Sequence, residues 1–360
     1  LGQVGWDNLK PGDIFITNDP YTGGGTHLSD VSIVMPIFYG ERLVAFSANK
    51  AHWTEVGGKD PGSWTTDSTD VFQEGLQFPC VRLFAEGVPN ESLFDVIGAN
   101  VRTPDMSLGD AWAQVASCRL AGLRFQDLCD KHGLPAVQQA IEILLDYGEV
   151  MVAQELAKLP AGIYEAEDWI DDDGLTDDPL YCRVKVTVSP DKFIADFTGS
   201  APQAKGPINC TWTGLVSAVR LIFKALTDPH IPANEGTFRA LEVICPPGTV
   251  LTAERPAPVS TYWETMIFAA DLVWKALAPL VPDRLSAGHF LSVCGDVTFT
   301  IHPDTGKPAI LVEPNAGGWG ASIDQDGTSG LVCVGDGETY ILPLEVTEAI
   351  YGIQVDRYEF

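Results

Sequence analysis

Short apolar runs of β-type residues recur near the start of the chain, at 14–17, 31–38 and 43–48, among Gly, Pro and Asp. Runs of this kind read as strands. Between the last two runs, Tyr39-Gly40-Glu41-Arg42 reads as a hairpin turn. From 60 to 70 Asp, Pro, Gly, Ser and Thr dominate, which predicts an ordered loop. Over 107–158 the apolar spacing changes to three and four. Trp112, Val115, Cys118, Gly122, Phe125 and Cys129 fall on one helical face and predict a core-facing helix, with Ser107 and Asp110 as its capping box. Gly133 ends that helix, and Pro135 opens a second one through Ile141, Leu144 and Leu145, again read as core.

Strand patterning returns over 163–197, around the acidic turn Asp171-Asp172-Asp173-Gly174. As a calcium loop this turn fails, because positions 169 and 180 hold Trp169 and Leu180 where an acid and a Glu are needed. It is expected to be a solvated hairpin tip. A helix through Leu215, Val219, Ile222 and Leu226 follows, then a helix over 265–280, strands near 297–301 and 309–313, and a Gly-rich loop over 315–321. Strands and helices come in blocks, which predicts an α+β fold: a large mixed domain of antiparallel sheets with packed helices. The expected parts are a metal-binding, β-rich part over 1–106, a helical hairpin over 107–160 and an α+β part over 161–360.

Composition narrows the class of protein. With 360 residues, 45% of them hydrophobic, the chain can bury a large core. A net charge of −27 repels phosphate backbones and argues against nucleic-acid partners. No apolar run is long enough to span a bilayer, so no membrane partner is expected. The eight cysteines, Cys294 among them, form no C-x-x-C pair, which fits buried reduced thiols in a cytoplasmic protein.

The densest chemistry lies between Asn18 and Gly58. Pairing about a turn at Gly40-Glu41 makes opposed residue numbers sum to about 81. Asp30 then lies opposite Ala51, one residue from His52, with His27 just beyond the strand end. Two imidazoles and a carboxylate at one open hairpin end suit zinc, iron or manganese, with positions left for water. The plainer alternative is that each His is a surface or satisfied core residue. Gly23, Gly24 and Gly25 let the backbone approach a ligand, and no Gly-Lys-Ser/Thr follows to make a P-loop. Asp19 is a further ligand candidate or a turn residue, and Glu264 is an acid beside a Pro-rich turn. The loop holding Gly318 either closes over a substrate or turns the chain. His132, His230, His289 and His302 lack carboxylate patterning and read as structural.

These motifs resemble the hydantoinase B family. The resemblance is carried by Gly12 to Tyr21 in the form Gly-Asp-Ile-Phe-Ile-Thr-Asn-Asp-Pro-Tyr, by Thr26-His27-Leu28-x-Asp30, and by Ala51-His52-Trp53. Further matches are Glu74-Gly75-Leu76-Gln77-Phe78-Pro79, Asp196-Phe197-Thr198-Gly199-Ser200, Pro256-Ala257-Pro258-Val259-Ser260 and Gly317-Gly318-Trp319-Gly320. Relatives include the C-terminal part of 5-oxoprolinase, N-methylhydantoinase B and large subunits of acetone and acetophenone carboxylases. The resemblance implies a divalent metal at His27, Asp30 and His52. It also implies a hetero-oligomer with an A-type, actin-like ATPase subunit that uses ATP to phosphorylate the substrate. An N-terminal acidic segment and a Gly-rich tail expected of the family are absent, so a fragment is expected. Ser260-Thr261-Tyr262-Trp263-Glu264 departs from the smaller, more polar stretch that relatives carry.

The expectation is therefore an ATP-dependent cyclic-amide hydrolase subunit acting on a small amide. His27, Asp30 and His52 would hold the metal. Asp19 and Glu264 would serve proton transfer or orientation, and Gly24, Gly25 and Gly318 would approach the substrate. The alternatives are a ketone carboxylase subunit and a non-catalytic fragment that binds the partner.

Overall fold

The computed structural model of the chain describes residues 4–22, 24–293, 295–335 and 342–358; Gly23 and Cys294 lie outside them. The first strands are β1 (Ile14–Thr17), β2 (Asp30–Tyr39), β3 (Arg42–His52), β4 (Val81–Ala85) and β5 (Val88–Pro89). They form one antiparallel sheet in the order β3-β2-β1-β4-β5. Val31 and Ile33 point from β2 into a core with Ile14, Ile16, Leu83 and Phe84, while Asp30 and Ser32 face the other way.

Helices α1 (Glu91–Asn100), α2 (Pro104–His132) and α3 (Leu134–Leu156) follow. Helix α2 lies across β2 and β3. It begins at Pro104 behind Thr103, earlier than the expected capping box. Ser107 is instead inside the helix and donates to the Glu55 carbonyl at 2.8 Å. Val115, Cys118, Gly122 and Cys129 of α2 are buried as expected, but Trp112 is exposed. On α3 the expectation is corrected more broadly. Ile141 and Leu144 are exposed, with Tyr147 and Val150, and only Gly148, Val152 and Leu156 are buried.

The second half holds β6 (Gly162–Ile170), β7 (Leu180–Val188), β8 (Phe193–Asp196), α4 (Trp212–Thr227), β9 (Leu241–Ile244) and α5 (Tyr262–Leu277). The sheet order is β6-β7-β8-β9, antiparallel except for the parallel β8–β9 pair, whose crossover carries α4. Cys182, Val184, Val186, Leu215, Val219, Ile222 and Val273 make its core. The turn expected to be solvated is pinned instead. Asp173 is buried, and its carboxylate accepts from the amides of Leu175, Thr176, Lys205 and Gly206. A Cβ on Gly206 would stand 1.7 Å from the Asp173 carbonyl, so only glycine fits there. Last come β10 (Asp296–Ile301), β11 (Pro308–Glu313), β12 (Gly317–Gly318), β13 (Ser329–Leu331) and α6 (Leu344–Tyr351). The architecture is the expected α+β one. Among the described residues no helix is long and apolar enough to cross a membrane.

Residues 63–74 fasten to the segment before α5. Glu74 is buried, and its Oε1 accepts from Ser68 Oγ at 2.7 Å, the Val259 amide at 2.8 Å and the Ser260 amide at 2.9 Å. Its Oε2 is buried without a partner. Ser260 Oγ in turn accepts from the Thr65 amide at 2.8 Å. This clamp sets Trp64 beside the start of α5.

Candidate functional site

The β2–β3 hairpin pairs Asp30 with His52, not with Ala51. Straight pairing from the turn holds only for Tyr39↔Arg42 and Phe38↔Leu43; then the register shifts and Ile37 faces Ala45. The surplus residue, Val44, is a β-bulge that advances every later pair by one. Directly opposed residues share a face of the sheet, so the Asp30 carboxylate and the His52 ring come to the same side. The Trp53 amide donates to the Ser29 carbonyl at 2.8 Å and closes the hairpin end. Trp53 itself is buried, with its indole N–H on Gln114 Oε1 at 2.7 Å.

His27 enters from the loop before β2. Asn18 holds that loop: its Nδ2 donates to the Leu28 and Leu76 carbonyls at 2.7 and 2.9 Å, and its Oδ1 accepts from the Phe78 amide at 2.7 Å. His27 Nε2 lies 3.7 Å from Asp30 Oδ2, and the His27 and His52 ring centroids are 5.0 Å apart. Asp30 Oδ2 also accepts from the Thr26 hydroxyl and lies 3.5 Å from the Tyr262 hydroxyl. Burial pushes the Asp30 carboxyl up, but His27, its hydrogen bond and His52 outweigh burial and hold it well below the usual carboxylate range. Burial and the Asp30 charge push the Tyr262 phenol well up, so it stays a donor.

The His52 side chain is exposed to solvent on the wall of a cavity, with protein atoms crowded around it. That crowding, and next His27, push its imidazole down to about 4, so the ring is neutral near pH 7. The Trp64 indole N–H donates to His52 Nε2 at 3.2 Å. An indole only donates, so that nitrogen carries a lone pair, the form a metal ligand needs.

Two donors bound to one ion at tetrahedral angles lie about 3.4 Å apart. The His27–Asp30 spacing of 3.7 Å matches that figure. No group of three His, Cys, Asp or Glu side chains among the described residues is already drawn to coordination geometry. His52 is held back on Trp64, and its ring must leave the indole to complete a set. By kind the three residues suit a divalent ion, and by spacing His27 and Asp30 do, while His52 as placed does not complete the set.

The other expected site residues lie elsewhere. The Asp19 carboxylate accepts from the Tyr21 amide at 3.0 Å and Thr22 Oγ1 at 2.7 Å and sits 3.5 Å from Arg255, so it orders the loop. Glu264 Oε1 accepts from the Trp263 indole at 3.0 Å and Ser292 Oγ at 2.9 Å, and burial pushes its carboxyl up. Neither lines the cavity at His52. Gly25 lets its backbone pass close under Asn18, since a Cβ would meet that carbonyl at 2.9 Å. Gly24 has φ +77, and its carbonyl accepts from Lys50 Nζ at 3.1 Å. Gly318 pairs with Ser329 in a two-stranded ribbon away from the cavity lining.

Sequence reasoning missed Trp64, Tyr262 and Trp263 as site residues. The Tyr262 ring centroid is 5.0 Å from that of His27, Trp263 is 5.6 Å from His27, and Trp64 is 5.7 Å from His52. Two of the three fall in the stretch 260–264, already marked as unusual in the sequence.

Residues 3–360 match the family described as hydantoinase B/oxoprolinase. A candidate D-/L-hydantoinase of Pseudomonas sp. (strain NS671) has a B subunit that is 32% identical over 367 residues, covering 98% of this chain and 61% of that protein. The crystal structure of the ATP-dependent caprolactamase from Pseudomonas jessenii superposes with TM-score 0.86 at 26% identity, covering 99% of this chain and 62% of that one. A nucleotide-free acetone carboxylase structure gives TM-score 0.86 at 19% identity over 95% of this chain and 47% of that one, a likeness of fold alone. The chain thus spans about three fifths or less of these relatives.

Proposed function

Because the chain belongs to the hydantoinase B/oxoprolinase family, we propose that it is the B-type portion of an ATP-dependent cyclic-amide hydrolase. Ring opening would be completed at His27, Asp30 and His52 after an A-type ATPase partner has activated the amide by phosphorylation. The observation that carries this is the cross-strand pairing of Asp30 with His52, with His27 Nε2 3.7 Å from the same carboxylate. The relatives' names support it: the B subunit of a hydantoinase and an ATP-dependent caprolactamase.

An unactivated amide resists water because resonance stabilises it, which gives the ATPase partner its place in the reaction. His27, Asp30 and His52 would hold a zinc, manganese or iron ion. When bound, such an ion polarises a carbonyl oxygen and makes bound water more acidic. The chain's own residues do the rest. Tyr262 and Thr26 donate to Asp30 and fix its carboxylate. Trp64 holds His52 in its neutral form until a ligand replaces the indole. Trp64 and Trp263 give the reacting amide an apolar wall on one side of the cavity.

The test is ATP-dependent turnover of hydantoins and lactams by this chain with its ATPase partner, alongside a His52→Ala variant. Ring opening that is lost in the variant supports the reading. Full activity of His52→Ala, or incorporation of labelled bicarbonate into a new carboxylate, overturns it.

A further inference from the structure

The cavity at His52 has a volume of about 350 Å³ and a lining of two kinds. One is the pair of imidazoles of His27 and His52. The other is an apolar wall of Trp64, Trp263, Met266, Ile267 and Val312, whose two indoles adjoin those imidazoles. That volume is at the low end of the roughly 300–1,000 Å³ range of small-ligand pockets, enough for one ring and one substituent.

The apolar wall offers little to an anion. No Lys or Arg lines the cavity among the described residues. The Trp263 indole N–H is spent on Glu264, and that of Trp64 is taken by His52 for as long as the ring stays on the indole. The Tyr262 hydroxyl faces the Asp30 carboxylate. A carboxylate packed against Trp263, Met266, Ile267 and Val312 would lose its water and gain no cationic side chain from that wall, which is costly. The net charge of −27 adds a field that repels anions. An uncharged aryl or branched alkyl group meets the opposite conditions. The Trp64 and Trp263 rings lie 4.5 Å apart at 43°, so they form a continuous apolar corner rather than a slot between parallel faces.

We propose that the amide ring taken by this site bears an uncharged apolar substituent that packs into the Trp64–Trp263 corner, and that rings bearing a carboxylate substituent are rejected there. This rests on the ring-opening reading above and names its substrate class. Trp64 and Trp263 are then specificity-determining residues. Glu264 is a positioning residue, because it holds the Trp263 indole.

The experiment compares two probes that share one ring, 5-benzylhydantoin and hydantoin-5-acetic acid. Binding to the full 360-residue chain is followed by tryptophan fluorescence and checked by calorimetry, without ATP or partner. The benzyl compound is expected to bind about tenfold more tightly, equivalent to about 1.4 kcal/mol. A ratio below about threefold, an inverted preference or saturable binding of neither probe overturns the proposal. A Val312→Arg variant puts a cation in the wall and is expected to invert the preference; if it folds and the benzyl preference is unchanged, the assignment of this wall is wrong. Trp64→Ala, checked for a native melting transition, is expected to lose the benzyl preference. Failure of the two readings is separable. A complex that opens carboxylated rings as fast as benzylated ones refutes the substituent assignment and leaves ring opening standing. A complex that opens no ring refutes the reaction while the binding preference remains.

Discussion

Glu74 offers a test of the clamp that seats Trp64 against α5. Burial pushes its carboxyl up from 4.5 to about 7, although Ser68 and the amides of Ser260 and Val259 all donate to it. In the folded protein it therefore holds its proton through a window in which the unfolded chain has lost it. A shift of that size amounts to about 3 kcal/mol at about 1.4 kcal/mol per pH unit. The folded state binds more protons between about pH 4.5 and 7, so stability falls as pH rises through that window and stays lower above it. Glu74→Gln copies the protonated carboxyl: its carbonyl accepts the same three donors, and its amide takes the place of Oε2, which already has no partner. The variant should match the wild type near pH 4 and exceed it at pH 8 by up to about 3 kcal/mol. Urea unfolding of both proteins across the pH range, read as the difference between them, removes the background from the other acids. A Gln variant less stable than wild type at pH 8, or a difference that does not change with pH, refutes the reasoning.

Three further outcomes follow from the same geometry. Asn18→Leu strips partners from one buried and one half-buried carbonyl and from a buried amide, which should cost about 3 kcal/mol in denaturant unfolding. Arg102→Ala leaves the fully buried Glu55 carboxylate without its ion pair, and a loss of about 3–5 kcal/mol is expected in the same assay. Zinc or manganese at about a hundred times its Kd should stabilise the wild-type chain by about 2.7 kcal/mol; a thermal melt should show no such gain for His27→Ala/His52→Ala.

The hairpin over 30–52 was legible because two β-type runs flank the turn Tyr39-Gly40-Glu41-Arg42, and counting from that turn brought Asp30 and His52 within one residue of each other. The last residue of register was not legible. Leu43, Val44, Ala45 and Phe46 are all apolar, so no break in alternation marks the bulge at Val44. Helix α2 showed its buried face through Val115, Cys118, Gly122 and Cys129. The same periodicity in α3 misled, since Ile141 and Leu144 repeat like core residues yet face outward. A hydrophobic stripe says that a face is apolar and does not say what covers it. The aromatic wall was out of reach for another reason. Trp64 and Trp263 are far apart in sequence, and they meet only because Glu74 and Ser260 tie their segments together.

The spare residue in β3 makes the site forgiving of a loss and unforgiving of a gain. Were Val44 removed, Leu43 and Ala45 would become consecutive rungs of an even ladder, and Asp30 would still meet His52. One extra residue between Ala45 and Ala51, in a ladder that stayed otherwise unbroken, would bring Ala51 opposite Asp30 and swing the His52 imidazole to the other side of the sheet. All the ligand-type side chains would survive such an insertion, and the place where they meet would not.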